Sequence, residues 1–244
     1  MILTCAGSGS DGNCYLLKDS EGKMLLLEAG VTIDKLKKLI DYNVMDLEGC
    51  LVTHHHKDHS LSVAKLRMMG VKTFMPYELD EWRKEVIFGK FKVKAFPLTD
   101  SAGKFVHTNG DGTECPVFGF LIEHDEMGKM VYFTDCEFCR WTFRKKKLNH
   151  MLLGVNYQEQ YAPLDEAKMA HVIGGHLSET TASEFIRVNQ TEHLQNIVLG
   201  HLSEFSCNPE ELLTNISKVA ETGVHVEIAT PQMELELRKD CPFG

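Results

Sequence analysis

Four potential metal ligands fall within six residues of this chain. His54, His56, Asp58 and His59 stand in the run Thr53-His54-His55-His56-Lys57-Asp58-His59. An apolar stretch, Gly49-Cys50-Leu51-Val52-Thr53, leads into the run, and a helix-like segment, Ser60 to Met69, follows it. Side chains two apart on an extended backbone point the same way, so His54 and His56 can hold one ion together. The chain then turns toward a helix, which lets Asp58 and His59 face a second ion beside the first. His55 and Lys57 alternate with these residues and are expected to face away. The pattern predicts a metal-dependent hydrolase and requires a fold that brings further donors to the end of this strand.

The rest of the composition is consistent with that reading. The chain has 244 residues, 43% hydrophobic and 25% charged, enough for one domain over 1–244 with a sizeable core. No apolar run approaches the ~20 residues of a membrane span. The opening Met1-Ile2-Leu3-Thr4-Cys5-Ala6-Gly7-Ser8 lacks the basic and apolar regions of a signal peptide, so a cytoplasmic protein is expected. The eight cysteines read as reduced thiols acting as small hydrophobes, Cys136-x-x-Cys139 included, because no second pair completes a structural zinc site. A net charge of -9 argues against a protein that merely coats duplex nucleic acid. The basic run Lys145-Lys146-Lys147, with Arg140 and Arg144, reads as a solvated loop.

Strand-like runs lead the chain at Ile2–Cys5, Cys14–Lys18 and Met24–Glu28, with a helix over Val31–Tyr42. Strand 49–53, helix 60–69, strand Val71–Met75 and a short helix Glu78–Lys84 follow. Phe91–Phe96, Val117–Glu123 and Lys129–Thr134 read as a meander with a long loop after its first strand. Then come strand Met151–Val155, helices Pro163–Ile173 and Thr180–Val188, strand Ile197–Gly200, helix Pro209–Thr222 and strands Val224–Ala229 and Met233–Leu237. This interleaving predicts two sheets with helices outside them.

A two-metal centre needs more than four ligands and a group that bridges the ions. Asp135 emerges from the apolar run Met130–Thr134 and carries two oxygens, which suits a bridge. His201 ends the run Gln195–Gly200, and His176 follows Val172-Ile173-Gly174-Gly175. Both lie in a Gly-His-Leu-Ser-Glu context, at 175–179 and 200–204. For the ligand between the first motif and Asp135 the candidates are His107, Asp100 and His124, of which His107 is preferred. Gly7, Gly9 and Gly12 read as a tight β-turn, since no Gly-Lys-Ser/Thr follows. Tyr157 is a candidate for substrate contact or for packing.

With these pieces assembled, the chain resembles the metallo-β-lactamase superfamily of binuclear hydrolases. Within it, the chain is similar to the small YycJ/WalJ-like exonuclease and phosphodiesterase branch. The resemblance is carried by Gly7–Cys14, Leu27-Glu28-Ala29-Gly30, Thr53–His59, Thr134-Asp135 and the two Gly-His-Leu-Ser segments. It implies an α/β fold, a four-layer αββα sandwich with the site at one edge of two sheets. It implies that His54, His56 and His107 hold one metal, that Asp58, His59 and His201 hold the other, and that Asp135 bridges. His176 would act as general acid and, with Asp58, counts as catalytic, while Asn13 would lie close to the site. The family usually has Asp where this chain has Glu28, an acid that supports a ligating histidine from behind. Its middle histidine usually follows closely on a strand, often paired with Asp, whereas His107 sits in an extended loop before Thr108-Asn109. The chain has no room for the β-CASP insertion of larger nucleases.

The resulting expectation is phosphodiester hydrolysis with two divalent ions, Zn²⁺ or Mn²⁺. A DNA exonuclease comes first. A phosphodiesterase for small cyclic or modified nucleotides is the alternative, and a lactonase or thioesterase a further one, because fold alone does not fix chemistry. Nucleic acid or a nucleotide is the expected partner, with no membrane, and a homodimer is compatible with the sequence.

Overall fold

A computed structural model describes residues 1–162 and 175–239. The Pro163–Ile173 helix expected from sequence lies outside these residues, as does Cys241. Two β-sheets face each other. The first runs in the order β14 (Glu234–Glu236), β1 (Ile2–Gly7), β2 (Cys14–Lys18), β3 (Met24–Leu27), β4 (Leu47–Leu51) and β5 (Thr73–Phe74). The second runs β13 (His225–Ile228), β12 (Asn196–Gly200), β10 (His150–Tyr157), β9 (Gly128–Phe133), β8 (Phe118–His124), β7 (Phe91–Pro97) and β6 (Val86–Phe88). A short strand, β11 (Leu177–Ser178), pairs with β10 beside this order.

The period of two explains the layers. In β3, Leu25 and Leu27 point into the core between the sheets, while Met24 and Leu26 pack on the other side. In β9, Met130 and Tyr132 enter the inter-sheet core, and Val131 and Phe133 face outward. Both faces of these strands are covered, so they read as continuous apolar runs rather than as alternating ones. The outer face of the first sheet packs against Leu36 and Ile40, at the helix Ile33–Leu39, and against Val63 and Leu66 of the helix Val63–Met68. The outer face of the second packs against Ala182, Phe185 and Ile186 of the helix Glu179–Asn189 and Leu212 and Ile216 of the helix Pro209–Val219. The result is the αββα sandwich expected from the sequence.

Residue type sets the helix starts. Thr32 accepts from the Lys35 N–H, Ser178 from that of Thr181, and Asn208 from those of Glu210 and Glu211. One expectation fails. Glu78–Lys84 is not a helix: a single 3₁₀ turn at Pro76–Glu78 ends there, and the chain turns into β6, which the sequence reading missed. The segment carries charges on most positions and only Leu79 and Trp82 as large apolar residues, too few to bury a helical face. The helix expected over 60–69 is two pieces, Lys57–Ser60 and Val63–Met68, so it begins inside the histidine motif. Cys136 and Cys139 are buried in the outer core of the second sheet as free thiols. Lys145–Lys147 are exposed in and after a 3₁₀ turn. Among the described residues no helix is long and apolar enough to cross a membrane.

Candidate metal centre

The site lies at the C-terminal ends of β3, β4, β9 and β12, where the strands release Glu28, Thr53–His59, Asp135 and His201. Three of these residues hold a left-handed backbone: Glu28 at φ 66°, Asp135 at 52° and His201 at 57°. Such angles are uncommon for residues other than glycine and favour Asn and Asp where they occur. Here the conformation turns each side chain sharply off the end of its strand, and three instances converge on one place.

Donor atoms gather in overlapping groups, each within 4.8 Å: His54, His56 and His107; His54, His59 and Asp135; Asp58, His59 and His201. The middle group links the other two. His107 Nε2 lies 3.1 Å from His56 Nδ1. His59 Nε2 is 3.1 Å from Asp135 Oδ2 and 3.2 Å from Asp58 Oδ2. His201 Nε2 is 3.5 Å from Asp58 Oδ2 and 3.6 Å from Asp135 Oδ1. His176 Nε2 stands 3.4 Å from Asp135 Oδ1, its ring stacked toward that of His201. All seven residues expected as ligands are therefore brought together, with His176 beside them. Of the alternatives to His107, Asp100 caps its own turn by accepting from the Ala102 and Lys104 N–H groups, and His124 lies beside Asp19 and Phe91.

Neighbours fix the rings. Thr53 Oγ1 meets His54 Nδ1 at 3.0 Å, leaving Nε2 toward the cluster. Asn109 Oδ1 meets His56 Nε2 at 3.1 Å, leaving Nδ1 inward. Glu28 Oε1 lies 3.5 Å from His59 Nδ1. That carboxylate accepts from the Tyr132 hydroxyl at 2.9 Å and from the Thr53 N–H at 3.3 Å. Thus the acid that is longer than usual is held back by a tyrosine from the facing sheet. The Asn13 amide nitrogen lies 3.2 Å from His59 Nε2, and its backbone N–H donates to the Asp58 carbonyl at 2.7 Å. The opening loop is a turn closed by Gly12 N–H to Gly9 O, as expected. His55 and Lys57 are exposed. Tyr157 is buried beside Ser178, a packing position.

Sequence reasoning missed Thr53, Asn109, Tyr132 and Asn156 as ring-holding residues; Asn156 Nδ2 lies 3.3 Å from His201 Nδ1. Thr53 precedes His54 and Asn109 stands two residues after His107, which is the one signal available for them. Tyr132 gave none, because its phenol serves a residue more than 100 positions away.

The electrostatics suit cations. Burial pushes His54 well below the ordinary imidazole range, and burial again brings His107 down to about 4, so both are neutral donors at pH 7. Burial opposes charge on Asp135 and Asp58 too, yet the surrounding histidines outweigh it and hold both carboxyls below the usual range. His59 is the reverse: burial alone would lower it, but Glu28, Asp135 and Asp58 together raise it well above the usual value. Among the described residues, the buried His54 Nε2 has no hydrogen-bond partner, and His201 Nε2 has only the two carboxylates 3.5 and 3.6 Å away. Inward imidazole nitrogens beside ionised carboxylates fit divalent cations, whose binding would give His54 Nε2 a partner.

Fold and donor set together define the class: a metal-dependent hydrolase with the metallo-β-lactamase fold and a cluster suited to two ions. Comparison with known proteins agrees. A family model described as Metallo-beta-lactamase superfamily matches residues 7–125. The chain is 27% identical to exodeoxyribonuclease WalJ of Streptococcus pneumoniae, over 91% of this chain and 89% of that one. It is 31% identical to exodeoxyribonuclease YycJ of Bacillus anthracis, over 51% and 46%. Among solved structures, the metallo-beta-lactamase fold protein YhfI from Bacillus subtilis superposes with a TM-score of 0.68 at 16% identity, covering 96% of this chain and 98% of that one.

Proposed function

We propose that this chain is a binuclear phosphodiester hydrolase acting as a DNA exonuclease. The observation that carries the reading is the linked donor cluster, in which Asp135 stands between the His54 side and the His59–His201 side. His54, His56 and His107 would hold one ion, Asp58, His59 and His201 the other, and Asp135 would reach both. Zn²⁺ or Mn²⁺ suits four or five histidines with carboxylates. Such ions, when bound, lower the pKa of water and offset charge on a phosphoryl oxygen.

The chain's own residues do the rest. Thr53 and Asn109 each hydrogen-bond the outward nitrogen of a histidine, and Glu28 lies 3.5 Å from that of His59, which would orient the rings and make the inward nitrogens the donors. His176, 3.4 Å from Asp135, would deliver a proton to the leaving oxygen. Asp58 reaches both His59 and His201 and keeps its charge, so it helps hold the reacting phosphate's counter-charge in place. DNA is favoured by the likeness to the S. pneumoniae exodeoxyribonuclease along most of both chains. A second reading, a phosphodiesterase for small nucleotides, is favoured by the net charge of -9 and a cavity of about 480 Å³ beside His107.

The test is a panel of bis-p-nitrophenyl phosphate, 5′-phosphorylated DNA, cyclic mononucleotides and dinucleotides, and a lactone, run on wild type and Asp135→Asn. The reading expects DNA and the synthetic diester to be cut, and the variant to lose at least roughly a hundredfold in rate. DNA left intact while cyclic nucleotides are consumed would replace it with the second reading.

A further inference from the structure

We propose that the cavity between the Leu98–His107 loop and the Cys136–Arg140 segment is a subsite for one nucleotide of the substrate. Arg140 would contact its phosphate, and Phe138 its base. The substrate class rests on the phosphodiester reading above; the geometry of the cavity does not. The cavity measures about 480 Å³ and is lined by Leu98, Thr99, Val106, His107, Phe138 and Arg140, among others. That is within the usual ~300–1,000 Å³ of a small-ligand pocket and suits one nucleotide, not a length of duplex. His107 is common to this cavity and to the donor cluster, so the cavity adjoins the metal centre at that residue. Asp135 is also only three residues before Phe138.

Arg140 is held in position. Its Nη1 donates to the Asp100 carbonyl at 3.1 Å, and its guanidinium carbon lies 5.8 Å from the Trp141 ring centre. The Trp141 indole N–H in turn donates to the Pro97 carbonyl at 2.7 Å. The arginine is thus tied to the loop by one bond and steadied by an aromatic ring that is itself anchored at the end of β7. A guanidinium carries five N–H donors in a planar fork that matches a phosphate. Phe138 is 54% exposed. An aromatic ring about half exposed in the lining of such a cavity offers a face on which any base can stack. Two acids also line the cavity, Asp100 and Glu137. One oxygen of Asp100 is committed to the backbone of its own turn. Glu137 limits how much anionic charge the cavity can accept, which favours a single phosphate over a polyphosphate.

The experiment is calorimetric titration of the metal-loaded protein with deoxyadenosine monophosphate. Arg140→Ala and Phe138→Ala should each bind about tenfold more weakly than wild type. Arg140→Lys should recover part of the loss, and Arg238→Ala, paired with Glu236 at the strand ends opposite the cavity, should bind as wild type does. With deoxyadenosine, which lacks the phosphate, the Arg140→Ala effect should vanish while the Phe138→Ala effect persists. A decamer of deoxyadenylate and cyclic AMP, titrated in parallel, distinguish a strand end from a free nucleotide as the source. Unchanged affinity in Arg140→Ala or Phe138→Ala, or no binding of the monophosphate by wild type, overturns the subsite. Because binding needs no turnover, a wild type that binds the monophosphate yet leaves every phosphodiester intact would sink the proposed reaction and leave the subsite standing.

Discussion

His59 has Glu28 near one ring nitrogen and Asp58 and Asp135 near the other. Its charge balance therefore depends on all three acids, and Glu28 is the one with no place in the donor groups. Glu28→Gln keeps the length and much of the hydrogen bonding but removes the charge behind the ring. The substitution is expected to weaken divalent-ion binding about ten- to a hundredfold, the usual scale for a partner that orients a ligating histidine. Competition against a coloured chelator reads this directly, and an affinity within twofold of wild type would show that Glu28 does not support His59. The same scale shows what the sequence could and could not reveal. His54, His56, Asp58 and His59 announce themselves through spacing. His107 had only its position in a loop. Asn109, seen in the sequence as a departure from the usual His-Asp pair, is in the structure the residue that holds His56. A contact spanning 53 positions has no local signature, so it was unreadable before the fold was known.

At the scale of elements, the histidine motif is held by the two loops packed against it. The Asn13 N–H donates to Asp58 O, the Ala29 N–H to His59 O, the Gly30 N–H to Asn13 O and the Ser62 N–H to Ala29 O. Gly30 is the point of closest approach: a Cβ there would fall 1.6 Å from the Asp58 carbonyl oxygen and 2.8 Å from the Asn13 nitrogen. Both neighbours are backbone and cannot swing aside. Gly30→Ala is expected to cost at least ~1–3 kcal/mol, at the overpacking scale, and to displace Asp58. Thermal unfolding and metal content should fall together; a variant with wild-type melting temperature would contradict this bracing role. Glycine-rich loops were visible in the sequence, and so were most strands, because β3, β9 and β12 are apolar on both faces. The segment 78–84 was misread as a helix because its few apolar residues mimic a helical spacing that no packing partner uses. The short strands β6 and β11, of three and two residues, carry too little pattern to be read.

Over the whole molecule, burying so many histidines ties stability to pH. His107 and His150, both brought to about 4 mainly by burial, and His54, held well below the usual imidazole range, bind protons in the unfolded chain before they do in the folded one. Between about pH 4 and the unfolded imidazole value near 6.5 the unfolded state holds more protons, so stability rises with pH there. His59 is raised, so its contribution is complete below about 6.5 and is lost as pH climbs through its folded value. In chelator, the urea midpoint is therefore expected to climb from pH 4 to about 6.5 and then stop climbing or decline. A midpoint that falls steadily over pH 4–6.5 would contradict the neutral, buried state of these rings. The two-sheet architecture itself was legible from the order of strands and helices. Its register, and hence the convergence of four strand ends on one centre, was not, because pairing such as β9 with β10 and β10 with β12 is set by contacts far apart in sequence.

These strand ends should build one centre for two ions. Elemental analysis of protein purified with and without added Zn²⁺ or Mn²⁺, followed by anomalous diffraction at the metal edge, tests it most directly. Two ions per chain are expected, one among His54, His56 and His107, the other among Asp58, His59 and His201, with Asp135 reaching both. A single ion at saturation, or ions bound away from Asp135, would contradict it.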